Sequence, residues 1–247
     1  MTEFLTTPQN RRLAYRYSPP VSGPTYVWLS GFKSDMSGSK VTRSEAWAKG
    51  AGYGFLAFDY SGHGQSDGAF EDGTISAWRE DALAAIEGLT DGPLVLVGSS
   101  MGGWMALLAA LVLGDRVQAM TLIAPAPDFT QKLMWPEFSA EQQTEIMEQG
   151  RTLRPSDYDE PYVITRELIE DGAEWSLLDA PIALNMPIRI LQGMQDVDVP
   201  WQHALRLVEA IEGGDVIMHL VKDGDHRLSR EEDIQRLIAV CADLAAV

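Results

Sequence analysis

The chain is short of positive charge, has almost no cysteine and contains no long apolar run, and each shortage excludes a class of protein. Lys and Arg number 19 against 36 Asp and Glu, for a net charge of −17. Counterion-driven binding to a polyanion needs a basic face, so no nucleic acid partner is expected. The single cysteine, Cys241, excludes an intramolecular disulfide. It lies on an apolar stripe of a C-terminal helical pattern and reads as core. No stretch reaches the ~18 apolar residues that suggest a membrane span. The opening MTEFLTTPQNRRLAYR lacks the apolar segment of a secretory signal. A cytoplasmic protein of bacterial type is therefore expected. No Cys/His cluster, HExxH pattern or carboxylate cage is present, so no metal is expected. Gly62-x-Gly64 lacks the third glycine and the helix start of a dinucleotide loop, so no cofactor is expected either.

What is present is alternation. Of 247 residues, 45% are hydrophobic, enough for a sizeable core. Apolar runs predict strands at residues 12–17, 26–29, 55–60, 94–97, 117–124, 188–191 and 216–221. Helical periodicity covers 41–49, 75–89, 104–113, 201–211 and 231–245. Strands alternating with helices at this spacing imply right-handed crossovers and a mostly parallel sheet flanked by helices, an α/β fold. The pattern breaks after Pro125. Residues 128 to about 184 hold amphipathic stretches at 140–150, 162–171 and 173–178 but no expected strand. Met134, Trp135, Met147, Tyr158, Tyr162 and Trp175 are spread along them. The expectation is one domain, with a core of residues 1–125 and 185–247. Residues 126–184 are expected as a helical cap inserted over the carboxyl edge of the sheet.

The rest of the chain is organised around residues 94–108, LVLVGSSMGGWMALL. A buried strand runs into Gly98-Ser99-Ser100-Met101-Gly102, and a helix follows. G-x-S-x-G alone is a weak pattern, but the strand before and the helix after supply its confirming context. Such a turn raises the central hydroxyl above the sheet edge and aims the first helix amides at the same space. Ser100 is the candidate nucleophile. Ser99 is the alternative, one residue too early for the centre of the pentapeptide.

A serine hydroxyl needs a general base within hydrogen-bond reach, and the base needs a carboxylate to fix its tautomer. After a strand-to-helix serine the partners follow in the order Asp, then His, in loops at strand ends. Of the four histidines, His63 precedes the serine, His203 opens a helix and His219 lies inside a strand. His226 alone follows the last strand in a polar loop, which makes it the candidate base. Asp196 and Asp198 both follow the penultimate strand. Asp196 is preferred as closer to the strand end, and Asp198 has the competing reading of a turn residue or helix cap. Asp225 is read as shaping the loop. The backbone amides of Met101, after the serine, and Phe32, after an earlier strand, are the candidate oxyanion donors. Asp59 and the glycines at 62, 64 and 68 are read as a tight structural turn.

Together, Gly98–Gly102, the loop of residues 59–66, Asp196-x-x-Val199-Pro200 and Asp225-His226 resemble the α/β-hydrolase fold superfamily over essentially the whole chain. A narrower likeness lies in Phe58-Asp59-Tyr60-Ser61-Gly62, in residues 91–104 (DGPLVLVGSSMGGW), in residues 187–194 (PIRILQGM), in Val199-Pro200-Trp201 and in Asp225-His226-Arg227. These resemble the mitochondrial palmitoyl-protein thioesterase family, also known as acyl-glucuronide esterases. The resemblance implies a serine hydrolase acting on an acyl ester or acyl thioester substrate through Ser100, Asp196 and His226. The chain opens almost directly on its first strand, without the transit segment of that family. A short-chain carboxylesterase is the alternative activity, and a silent hydrolase-fold binding protein the alternative class.

Overall fold

The computed structural model describes residues 1–154 and 161–245. Eight strands form one sheet: β1 (Glu3–Thr6), β2 (Arg12–Ser18), β3 (Thr25–Leu29), β4 (Gly54–Phe58), β5 (Leu94–Ser99), β6 (Val117–Ile123), β9 (Ile188–Gly193) and β10 (Val216–Val221). Their spatial order is β1-β2-β4-β3-β5-β6-β9-β10. β2 pairs antiparallel with β1 and β4, and the rest of the sheet is parallel. The sheet is the mostly parallel, helix-flanked one that the alternation predicts. The edge strand β1 had no sequence expectation. Its four residues carry only Phe4 and Leu5 as apolar signal.

Central strands of a parallel sheet are covered on both faces, which is why they read as unbroken apolar runs. In β3, Val27 and Leu29 enter one core while Tyr26 and Trp28 enter the other. The first core is closed by α2 (Ile75–Leu89), α3 (Met101–Leu113) and α6 (Trp201–Ala210), the second by α1 (Ser39–Gly50) and α7 (Glu231–Leu244). Ten consecutive residues at the start of α3, Met101 to Ala110, are buried. A helix enclosed this way needs no polar face. Cys241 sits in the second core, its thiol pushed up to about 12 by burial.

Between β6 and β9 the structure corrects the sequence reading. Residues 140–150 do form a helix, α4 (Ala140–Gln149), capped by a Ser139–Gln142 box. The expected helical stretch at 162–171 divides into a strand, β8 (Tyr162–Thr165), and a helix, α5 (Arg166–Glu174). β8 pairs antiparallel with β7 (Arg151–Arg154), so the segment is not wholly helical. Thr165 is the boundary: its side chain accepts from the Leu168 amide and starts α5. Helix does not extend over 173–178; α5 ends at Glu174. Tyr158 lies outside the described residues.

Buried polar contacts fasten this segment to the core. Asp128 is fully buried, and its two carboxylate oxygens accept the Leu177 and Leu178 amides at 2.8 and 2.9 Å. Asp171 of α5 accepts the Ser76 amide at the start of α2 at 2.8 Å. The Trp104 indole donates to the Trp175 carbonyl at 3.2 Å. No helix among the described residues is long and apolar enough to cross a membrane.

The closest backbone approach is between α3 and β3. A Cβ added at Gly102 would lie 1.9 Å from the Leu29 carbonyl oxygen, and one at Gly98 would lie 2.4 Å from that of Gly102. Neither neighbour is a flexible side chain, so the helix would have to move bodily. Gly102→Ala is expected to lower stability by about 3 kcal/mol or more. Urea unfolding checks this; a midpoint equal to that of the native chain would contradict the packing described.

Candidate active site

Ser100 occupies the bend between β5 and α3, with φ 55° and ψ −119°. A non-glycine residue avoids this region unless its surroundings hold it there. Here the Ser100 amide donates to the Ile123 carbonyl at 2.8 Å, and its own carbonyl accepts from Gly103 at 2.8 Å and Ala126 at 3.1 Å. The strand before, the helix after and the chain leaving β6 thus fix the turn between them.

His226 lies in the loop after β10. The Asp225 carboxylate accepts the Leu228 amide at 2.9 Å, which shapes that loop as the sequence suggests. The Lys40 ammonium donates to the Arg227 carbonyl from the other side. Burial lowers the Lys40 pKa to about 8, against the pull of Asp225 and Asp233. Asp196 lies after β9. One of its oxygens accepts the amides of Asp198 and Val199 at 3.0 and 2.8 Å. The other accepts the Gln192 side-chain amide at 3.1 Å and faces His226 Nδ1 at 2.8 Å. A carboxylate only accepts, so Nδ1 carries the proton and Nε2 offers its lone pair. That lone pair lies 3.1 Å from Ser100 Oγ.

The structure therefore brings together Ser100, Asp196 and His226. Ser99 borders the same cavity, but the imidazole meets Ser100. Asp198 is exposed and contributes its amide to Asp196. His203 is buried and donates through Nε2 to the Pro127 carbonyl at 2.8 Å, and His219 lies on the edge strand β10. His63 is buried beneath the loop that carries Phe32. Asp196, Asp198 and His226 also offer ligand atoms within 4.8 Å of one another. A cation there would have to displace the contacts that both imidazole nitrogens already make.

Two supporting residues were missed. Gln192 is fully buried in β9 and steadies Asp196 through its side-chain amide. A lone amide inside the run ILQG, at the end of an apolar strand, was the available signal. Lys40 had none, because its role depends on a loop far away in sequence.

A cavity of about 620 Å³ opens over the serine. The amide-bearing residues Phe32 and Met101 border it, and neither amide has an acceptor among the described residues. A Cβ added at Gly31 would lie 3.3 Å from Ser100 Cβ, so the Phe32 loop runs directly against the serine. Phe129, Leu133, Met134 and Tyr162 give the cavity an apolar wall, and Lys40, Glu137, Arg154 and Arg227 give it a polar one. Glu137 and Arg154 form an ion pair at 2.5 Å.

Comparisons with known proteins agree with this arrangement. The sequence model of a family described as alpha/beta hydrolase fold matches residues 39–166. The palmitoyl-protein thioesterase ABHD10, mitochondrial, of Homo sapiens is 37% identical over 243 residues, covering 98% of this chain and 79% of that protein. The crystal structure of a protein from Agrobacterium vitis S4 is 43% identical, with a TM-score of 0.95 over 99% of this chain and 98% of that one. Alpha/beta hydrolase domain-containing protein 10 from mouse is 35% identical, with a TM-score of 0.91 over 99% of this chain and 98% of that one.

The hydrogen-bond chain makes a prediction about reactivity. A fluorophosphonate should label Ser100, and Asp196→Asn should slow labelling by about 10³-fold because the amide cannot hold the Nδ1–H tautomer. Asp198→Asn should leave the rate nearly unchanged. The opposite ranking, read by intact-protein mass spectrometry, would move the acid to Asp198.

Proposed function

Because the chain belongs to the α/β-hydrolase fold family and is a hydrolase, we propose that it cleaves acyl thioesters or esters through an acyl-enzyme on Ser100. The observation that carries this is the placement of His226 between Ser100 Oγ at 3.1 Å and Asp196 at 2.8 Å. His226 Nε2 takes the hydroxyl proton as Oγ bonds to the carbonyl carbon. The carbonyl oxygen becomes an anion, which the amides of Phe32 and Met101 hold. Collapse breaks the carbon–sulfur or carbon–oxygen bond, and the imidazolium gives its proton to the departing thiol or alcohol. Water, deprotonated by His226, then attacks the acyl-serine. Ser100 leaves with the proton from His226, and the carboxylic acid departs.

Residues 126–184 act in this reading as the cap over the core, and its apolar wall receives the acyl group. Curated relatives bear the name palmitoyl-protein thioesterase, and Phe129, Leu133, Met134 and Tyr162 suit a lipophilic acyl chain. S-acylated protein or acyl glucuronide is the substrate class this favours. A second reading, a short-chain carboxylesterase, is favoured by the polar half of the same cavity at Lys40, Glu137, Arg154 and Arg227.

Measured kcat/KM on matched p-nitrophenyl esters and S-acyl-cysteine peptides, from acetyl to palmitoyl, separates the two. A rise with chain length on the thioesters supports the first; a preference for short oxygen esters supports the second. Ser100→Ala is expected to remove at least about 10⁴-fold of kcat/KM, with an unchanged circular dichroism spectrum and Tm. Retained turnover in that variant would overturn the assignment of the nucleophile.

A further inference from the structure

The proposed oxyanion amide at Phe32 sits in a loop with little regular structure to hold it. Residues 30–38 connect β3 to α1. Lys33, directly after Phe32, has φ 53°, the left-handed region that a side chain disfavours. Such a conformation persists only where neighbours hold it. One contact acts next to Phe32 from outside the loop: the Lys33 amide donates to His63 Nε2 at 3.1 Å. The next comes three residues on, where the Met36 amide donates to Asp59 at 2.8 Å.

We propose that His63 is a positioning residue for the reaction: by accepting the Lys33 amide it holds the Phe32 amide at the point where the oxyanion develops. The inference rests on the reading that Ser100 is the nucleophile.

His63 is built to accept at Nε2. Its Nδ1 lies 3.2 Å from the Ser61 carbonyl, which can only accept, so Nδ1 carries the proton. The Lys33 amide can only donate, so Nε2 must be the lone pair. Both contacts call for the same neutral tautomer. The ring is 3% exposed and packs edge-on against Tyr60, Phe70 and Trp78 at centroid distances of 5.7, 5.1 and 5.3 Å. Burial pushes its pKa below the ordinary histidine value, and Lys33 adds to this. The Ser61 carbonyl and Asp81 oppose it. The ring therefore stays neutral around neutral pH and keeps its lone pair. The backbone holds it in turn: the His63 amide donates to the Tyr60 carbonyl at 3.0 Å. Gly64 follows with φ 49°, where a Cβ would lie 2.2 Å from Asp59 Oδ2. The glycine-rich turn after β4 thus presents two acceptors, Asp59 and His63, to the loop across from it.

The Phe32 ring is fixed as well, meeting Phe70 at 4.8 Å, Phe129 at 5.5 Å and Tyr162 at 5.9 Å. With the side chain anchored and the next amide bonded, little freedom remains for the peptide unit that donates to the oxyanion. A histidine that merely filled space would share the packing but not the dependence on an acceptor.

Two substitutions separate these roles. His63→Phe keeps an aromatic ring and removes the acceptor; His63→Gln loses the ring and returns a side-chain carbonyl. For His63→Phe, kcat is expected to fall about 10- to 100-fold, short of the full loss of one oxyanion donor, with KM little changed. Affinity for a trifluoromethyl ketone, which forms an anionic adduct on the serine, should fall by the same factor, while affinity for the product acid stays constant. His63→Gln should recover much of kcat despite poorer packing. The proposal is overturned if His63→Phe turns over like the native chain. It is also overturned if the losses follow Tm, with His63→Gln the slower. A native chain that neither turns over nor binds the ketone would instead refute the serine-hydrolase reading.

Discussion

The turn at Ser100 is the constraint on which the rest of the structure depends. Its backbone, at φ 55°, stores strain of about 1–3 kcal/mol. Three backbone hydrogen bonds from β6, the following chain and α3 offset that strain. The turn is sharp enough to require close approach of α3 to β3, so Gly98 and Gly102 stand where any Cβ would strike backbone. Once α3 is driven into the sheet, it is enclosed on all sides. The apolar character of its first three turns follows from that. The candidate nucleophile, one candidate oxyanion amide and the packing of the first core are consequences of a single bend.

Around this bend, buried carboxylates organise the loops. Asp196 gathers the amides of Asp198 and Val199, Asp59 those of Met36 and Gln65, and Asp128 those of Leu177 and Leu178. Each pins a loop that strand pairing does not reach. Burying a charge is costly unless it is hydrogen-bonded. For Asp59 and Asp128, burial still pushes the pKa up against the amides that lower it. The acidic groups that matter for shape are therefore a few interior ones. The large excess of exposed acid is a separate property, suited to solubility.

How much of this was legible in the sequence depended on range. β5, the turn and α3 are local, and the residues that form them are adjacent, so their pattern could be read. The parallel sheet followed from alternation. The β7–β8 ribbon was not legible, because TYR-type strand signals in Tyr162–Thr165 run without a break into the amphipathic pattern of α5. The capping role of Thr165 was the local clue to the boundary. Asp196 and Asp198 both satisfied the spacing, and only tertiary geometry brings Asp196 to the imidazole. Lys40 and Gln192 were invisible for the same reason. Phe32 was placed by position alone, since an amide donor leaves no side-chain signature. His63 was set aside as a base; its contact with Lys33 depends on two loops meeting across the sheet edge.

The most direct test of the account is the covalent intermediate itself. A p-nitrophenyl acyl ester mixed with the chain, quenched in acid within one turnover and digested, should give the acyl mass on the peptide that contains Ser100. The adduct should form with the burst of p-nitrophenol and decay at the steady-state rate. Turnover with no adduct, or with the acyl group on another residue, would contradict the reading that the strained turn exists to present an attacking serine.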